Sequence, residues 1–178
     1  MISNFPFTSL LQTTGMAGLL LAAVTDLDQR IIPNKLVAGV LAIGLLLQLQ
    51  TPNLILASVA GALIVFFALG VLGHFNLIGG GDVKLIAATT LLVSPRSVLD
   101  LLLTIALAGG LLSCVYLALR AGLGKRELAV SSLGRAPSDS AHRGLFGREA
   151  ARIMCGEPMP YAIAILFGVT FTIASEVF

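Results

Sequence analysis

Charge is scarce in this chain. Asp, Glu, Lys and Arg make up 11% of its 178 residues, against 57% apolar residues and a mean hydropathy of +0.98. A soluble domain of this length buries only about 70% of its surface, so it would leave long apolar runs in water. A soluble fold is excluded. Short runs of alternating apolar and polar residues are missing as well, which excludes a transmembrane barrel. Cysteine is scarce: Cys114 and Cys155 form no CxxC pair that could hold zinc, and their placement in a span and a cytoplasmic loop does not suit a disulfide. No Lys or Arg precedes Leu10, and no small-x-small cleavage site precedes Asp26. The opening apolar stretch is therefore expected to be a retained span and not an export signal. Internal repeats and low-complexity segments are lacking too. The basic residues have no interleaved aromatics and the net charge is a slight +2, so no nucleic-acid partner is expected.

What remains is a series of apolar blocks, over 9–25, 36–50, 54–72, 83–93, 98–120 and 158–177. Their lengths are near the roughly 17 to 25 residues that cross hydrocarbon as a helix. The expected fold is all-α: one polytopic membrane domain over 1–178 with about six transmembrane helices. The fourth block is too short to span alone. Either Leu77 and Ile78 extend it through the adjoining glycines, or it is a half-helix packed inside protein, where irregular backbone is tolerated. The stretch 121–157, rich in Ser, Gly, Arg and Pro, reads as an aqueous loop with a short interfacial helix over 145–154.

Basic residues set the orientation. With six spans the odd-numbered loops share one side, and they hold Arg30, Lys35, Lys84 and the seven basic residues from Arg120 to Arg152, whereas only Arg96 falls opposite. Retention of Lys and Arg in the cytoplasm places both chain ends outside. The arginines of 121–157 serve this topology; membrane lipid is a further expected contact.

Two acids stand close to hydrocarbon. A carboxylate carried to the bilayer centre costs about 2.5 to 3.5 kcal/mol, so their positions ask for a use. Asp26 ends the first apolar block, deeper than Asp28, which has Arg30 beside it. Pro33 suits the first turn of the next helix and Asn34 can cap that start. Asp82 follows Gly79, Gly80 and Gly81 and opens the fourth block, where a helix dipole favours its anion. Three glycines in a row remove every side chain over about 10 Å of extended backbone and permit positive φ. A peptide strand fits against such a stretch. Lys84 reads as an interfacial anchor. The bland alternatives are a solvated helix-end acid and a flexible turn with an acidic cap.

The topology brings both acids to the cytoplasmic face. Two carboxylates within a few ångströms do not both ionise easily, so one keeps a proton while the other acts as base, the arrangement by which aspartic proteases activate water. That chemistry needs no metal or other cofactor. Asp26 and Asp82 are accordingly the candidate catalytic pair, and Gly79, Gly80 and Gly81 the candidate substrate-binding segment. A proton-coupled transporter using the same acids is the competing class; an inactive assembly subunit is a third.

With these residues in place, the chain resembles the type IV prepilin peptidases, intramembrane aspartyl proteases of the GxGD type. Gly79-Gly80-Gly81-Asp82 followed by Val83-Lys84-Leu85 matches that signature. Asp26, with the Ile32-Pro33-Asn34 turn ending eight residues onward, is similar to the family's first catalytic segment. The resemblance extends to the closing block that opens with Pro158-Met159-Pro160-Tyr161. It implies that Asp26 and Asp82 cleave the cytoplasmic leader of a prepilin or pseudopilin after glycine, just before its hydrophobic stem, and that pilus assembly machinery is a partner. Larger members carry a cysteine-rich segment associated with N-methylation; no such cysteines occur here, so the chain looks like the small, Flp/Tad-type branch.

Overall fold

In hydrocarbon a helix satisfies every backbone N–H and C=O within its own segment, which is why the apolar blocks fold as helices. The computed structural model describes residues 5–75, 78–132 and 159–177. Six α-helices occur among them: α1 (Phe5–Gln29), α2 (Asn34–Gln48), α3 (Ile55–His74), α4 (Gly80–Thr89), α5 (Val98–Ser132) and α6 (Ala162–Val177). Two 3-10 turns, Thr90–Leu92 and Pro95–Ser97, carry α4 into α5. No strand occurs among the described residues.

The all-α expectation is met, with three differences. First, α1 runs past Asp26 to Gln29, so the acid lies within the last turns of a helix and not at its end. Second, the stretch read as a loop from residue 121 begins as a continuation of α5 through Ser132; its remainder, with the expected helix over 145–154, lies outside the described residues. Third, span lengths are unequal. Three helical segments, Phe7–Gln29, Ile55–His74 and Pro95–Leu119, are long and apolar enough to cross a membrane, while α2 and α6 are shorter apolar helices. With its 10 residues, α4 is only about 15 Å long at 1.5 Å per residue, half the hydrocarbon thickness.

The chain divides into two units, Met1–Gly109 with Pro160–Phe178, and Gly110–Met159. Everything that follows concerns the first. Its outward surface is apolar: Leu56, Ile64 and Phe67 of α3 and Leu99, Leu103 and Leu107 of α5 are exposed, a lipid-facing belt that water would not tolerate. Inside, α1 packs on α2 and α6, and α2 and α3 each pack on α4. Leu19, Ala22 and Val40 meet Leu85, Ala88, Leu92 and Ile165 in the core. The short α4 is buried at Val83 and from Leu85 to Thr89, with Lys84 exposed between them, which resolves the fourth block as a half-helix held by protein on several sides. The hydroxyls of Thr89 and Thr90 are also buried and donate to the carbonyls of Ile86 and Ala87, each at 2.7 Å, so neither is left unsatisfied.

At the end of α2 remote from Asn34, a polar knot fixes the α4-to-α5 connection. The Gln48 amide donates to the carbonyls of Leu91 at 2.9 Å and Val93 at 3.3 Å, and Ser58 of α3 donates to Gln48 Oε1 at 2.8 Å. Gly44 lets Leu91 come this close: a Cβ on Gly44 would lie 2.6 Å from the Leu91 Cβ. Anchored there, α4 holds its opposite end, with Asp82, in place.

Candidate active site

Four backbone features build the site. The first is the stop of α1. Arg30 takes a left-handed conformation with φ 55° and its N–H donates to the Asp26 carbonyl at 2.9 Å. A residue with a side chain accepts that conformation at a cost of about 1 to 2 kcal/mol, and the gain is a sharp turn that sends Ile31, Ile32 and Pro33 to the beginning of α2. Pro33, not Asn34, is the residue before the helix, with φ −62° and ψ 131° and no side-chain cap. The expected cap by Asn34 is therefore not formed. Asn34 is already helical, and its Oδ1 accepts from Lys84 Nζ at 3.4 Å.

The second feature is the start of α6. Asp26 is 7% exposed, and its Oδ2 accepts a hydrogen bond from the Ala162 N–H at 3.1 Å. Ala162 is the first residue of α6, where amides have no partner inside the helix and the dipole attracts an anion. A carboxylate from the first helix is thus oriented by the backbone of the last. Arg30 adds its positive charge to the surroundings of Asp26.

The third is the glycine run, which differs from expectation. Only Gly79 is extended, with φ −64° and ψ 137°; Gly80 and Gly81 are the first two residues of α4, and Asp82 is the third. None of the three has a positive φ. The run is therefore not a three-residue edge for an added strand: helix formation captures Gly80 and Gly81 because Asp82 in the first turn and the buried apolar face behind it favour a helix there. What the glycines supply is room. A Cβ on Gly79 would lie 2.8 Å from Asp82 Oδ2, one on Gly81 would lie 3.5 Å from Ile32, and one on Gly80 would meet nothing within 4 Å.

The fourth is the cleft these turns enclose, a space of about 340 Å³. Asp26 and Asp82 both line it, with Gly79, Gly80 and Gly81 along one side. Arg30, Lys84 and Asn34 bring two cations and an amide to the same space, and Ile31 and Ile32 give it an apolar wall. Asp82 stands ahead of the apolar part of α4, outside the membrane-crossing helices. Burial, and then the charge of Asp26, push its carboxyl from the ordinary 3.8 up to about 6. Tyr161, just before α6, has its phenol raised by burial and by the Asp82 charge, so it remains a neutral donor near that acid.

All five candidate residues read from the sequence therefore gather in one cleft. The sequence reading missed Ala162 and Tyr161 as neighbours of the acids and assigned Arg30 and Lys84 to other tasks. Arg30 was within reach of sequence logic, since it follows Asp26 by only four residues. Nothing local marks Ala162 as a partner of Asp26. Among the described residues no group of three His, Cys, Asp or Glu side chains gathers to hold a metal.

The sequence profile described as the type IV leader peptidase family matches residues 14–114, more than half of the chain and a stretch containing both acids, the glycine run and α2 to α4. The chain belongs to the type IV leader peptidase family. It is accordingly a peptidase of the aspartic type, and its apolar helices make it a membrane protein. No curated protein and no solved structure matches it. An aspartic leader peptidase needs two carboxyl groups with access to one peptide bond, and the acids that line this cleft are Asp26 and Asp82.

Proposed function

We propose that this leader peptidase cleaves the leader from Flp-type type IV prepilins or pseudopilins, with Asp26 and Asp82 as its catalytic pair. The observation that carries the proposal is the meeting of Asp26 from α1 and Asp82 from α4 in one cleft with the glycine run. The carboxyl raised to about 6, Asp82, holds the shared proton, and Asp26, oriented by the Ala162 N–H, serves as base. Asp26 takes a proton from water as the oxygen attacks the scissile carbonyl, while Asp82 gives its proton to the carbonyl oxygen. Collapse of the resulting diol returns a proton to Asp82, and Asp26 passes its proton to the leaving amine. Both acids then regain their starting states.

The basic residues around the α1–α2 and α3–α4 links, Arg30, Lys35 and Lys84, support a cytoplasmic position for the cleft and extracytoplasmic chain ends in a bacterial inner membrane. Membrane lipid and pilus assembly machinery are the proposed companions of the reaction. The decisive assay incubates purified protein in detergent with a candidate prepilin and follows the shorter product by mass. Asp26→Asn and Asp82→Asn should each lower kcat/KM by at least about 100-fold, the usual scale for a lost acid or base, with helicity and thermal unfolding retained. Full cleavage by either folded variant would remove that acid from the mechanism; proton uptake by vesicles without any cleavage would point to transport.

A further inference from the structure

The start of α6 bears on both acids. Tyr161 and Ala162 share one peptide unit, whose carbonyl accepts the Ile165 N–H at 3.2 Å and whose N–H donates to Asp26 at 3.1 Å. In a planar trans peptide these two groups point in opposite directions, so the first bond of the helix aims the second at the acid. Pro160 and Ala162 on either side are buried, and the half-buried ring of Tyr161 packs against the core. Its outer edge lies over Gly109 of α5. A Cβ on Gly109 would stand 2.6 Å from Tyr161 Cε2, 2.7 Å from Oη and 2.9 Å from Cζ, closer than any side chain permits. Glycine there makes a notch that the phenol fills. Neither Tyr161 nor Gly109 lines the cleft, so the ring is no part of the surface a substrate meets. It nevertheless stands in the field of Asp82, and burial and that negative charge keep the phenol protonated.

We propose that Tyr161 is a positioning residue for the acid pair, seated by the Gly109 notch so that its phenol O–H supports Asp82 while the adjoining peptide N–H holds Asp26. The proposal rests on the peptidase reading and adds what steadies its two acids. In that reaction Asp82 gives its proton to the carbonyl oxygen and stays negatively charged until collapse of the diol returns a proton. Tyr161 keeps its own proton throughout. In the resting protein the phenol feels Asp82 through charge alone; the hydrogen bond forms as Asp82 becomes an anion, since catalytic bonds tighten once substrate is in place. A donor that binds the anion more strongly than the acid favours proton donation, and one already seated in a fitted notch needs no reordering at that moment. The same bond favours the charged form of Asp82. Removing it therefore makes Asp82 hold its proton to higher pH.

The test uses purified full-length protein in detergent with the prepilin that wild type cleaves, measuring kcat, KM and the pH profile together. Tyr161→Phe keeps the ring and removes the donor. Its kcat should fall by about tenfold or more, the scale of a lost hydrogen bond to a charged group, with KM unchanged. The alkaline limb of its profile should move up by about one pH unit, whereas loosened packing alone would admit water to Asp82 and move that limb down. Gly109→Ala, which forces the outer edge of the ring away, should reproduce both changes. Added to Tyr161→Phe it should cost less than about a further twofold, because no donor is left to displace. Leu107→Ala, at an exposed position of α5, should alter neither reading. The other titratable groups at this end of the helices are Asp26, Asp28, Arg30, Lys35, His74 and Lys84, and all of them are retained in these variants. Wild-type kcat in Tyr161→Phe, a limb that stays or moves down, or full additivity with Gly109→Ala would overturn the proposal. If Gly109→Ala does not fold, Tyr161→Phe decides. A wild type that cuts no prepilin, or a folded Asp82→Asn that cuts at full rate, would strike the peptidase reading instead.

Discussion

A single side chain's protonation governs what the cleft does at a given pH. The Asp82 carboxyl titrates at about 6 in the folded protein against an ordinary 3.8, so the fold prefers its protonated form. The stability linked to that preference is fully present below 3.8 and is lost as pH rises through about 6. Asp82→Asn, which carries no charge at any pH, should therefore raise the unfolding temperature relative to wild type at pH 8 and give no such gain at pH 4; scans of both proteins at the two pH values check this. Catalysis by a pair that must hold one proton follows the same sign. On the alkaline side kcat/KM should fall about tenfold per pH unit once the shared proton is lost, which a pH–rate profile reads directly. The glycines should separate at this scale too. Gly79→Ala pushes a methyl to 2.8 Å from Asp82 Oδ2 and should depress cleavage strongly. Gly80→Ala meets no protein atom within 4 Å, lies in the first turn of α4, and should stabilise the fold by up to about 1 kcal/mol, with a smaller loss of cleavage than Gly79→Ala.

At the scale of elements, the half-helix α4 is the part most dependent on its neighbours. Ten residues are too few to form a stable helix alone, and its position comes from burial between α2, α3 and α6 together with the Gln48 knot at one end. Gln48→Leu removes both amide donors and leaves the Leu91 and Val93 carbonyls without them, deep in the protein. A loss of about 1 to 3 kcal/mol per unsatisfied buried group is the expected scale, visible as a lower unfolding temperature in detergent. Cleavage by the folded fraction should fall as well, because the Gln48 anchor helps fix α4 and with it Asp82. The stop of α1 is a similar element-level device. Its left-handed residue is Arg30, although glycine takes that conformation without strain. Arg30→Gly should thus stabilise the turn while removing a cation from the cleft, so that stability and cleavage move in opposite directions. Parallel measurement of the two separates the roles.

Across the whole molecule, the division of surfaces is that of a protein whose solvent is lipid. Large apolar side chains such as Leu56, Leu99 and Phe67 point outward, while buried positions include Asp26, Gln48, Ser58, Thr89, Thr90 and Thr172. Each of those polar side chains has a hydrogen bond within the protein. The proposed orientation makes a prediction at this scale. A reporter active only in the cytoplasm should fluoresce when placed in the α1–α2 link and stay dark at the C-terminus, and the reverse pattern would invert the site to the outer face.

How much of this was legible beforehand depended on whether the signal was local. Hydrophobic blocks and glycine–acid adjacency are properties of neighbouring residues, so the helical class and the candidacy of Asp26, Asp82 and the glycines were accessible from the chain alone. Even the shortness of the fourth block was legible, because length against hydrocarbon thickness is simple arithmetic. Helix ends were less so: α1 passes through the polar residues after Asp26 and α5 continues to Ser132, since charged side chains do not terminate a helix whose backbone remains satisfied. Nor could spacing show that Gly80 and Gly81 enter α4, or that Asn34 bridges to Lys84 instead of capping α2. The meeting of Asp26 with the Ala162 amide, 136 residues onward, and the seating of Tyr161 at Gly109 belong to folding. These contacts join segments that carry no mutual signal in sequence, and only the packing of α6 against α1 and α5 brings them within hydrogen-bonding or van der Waals reach.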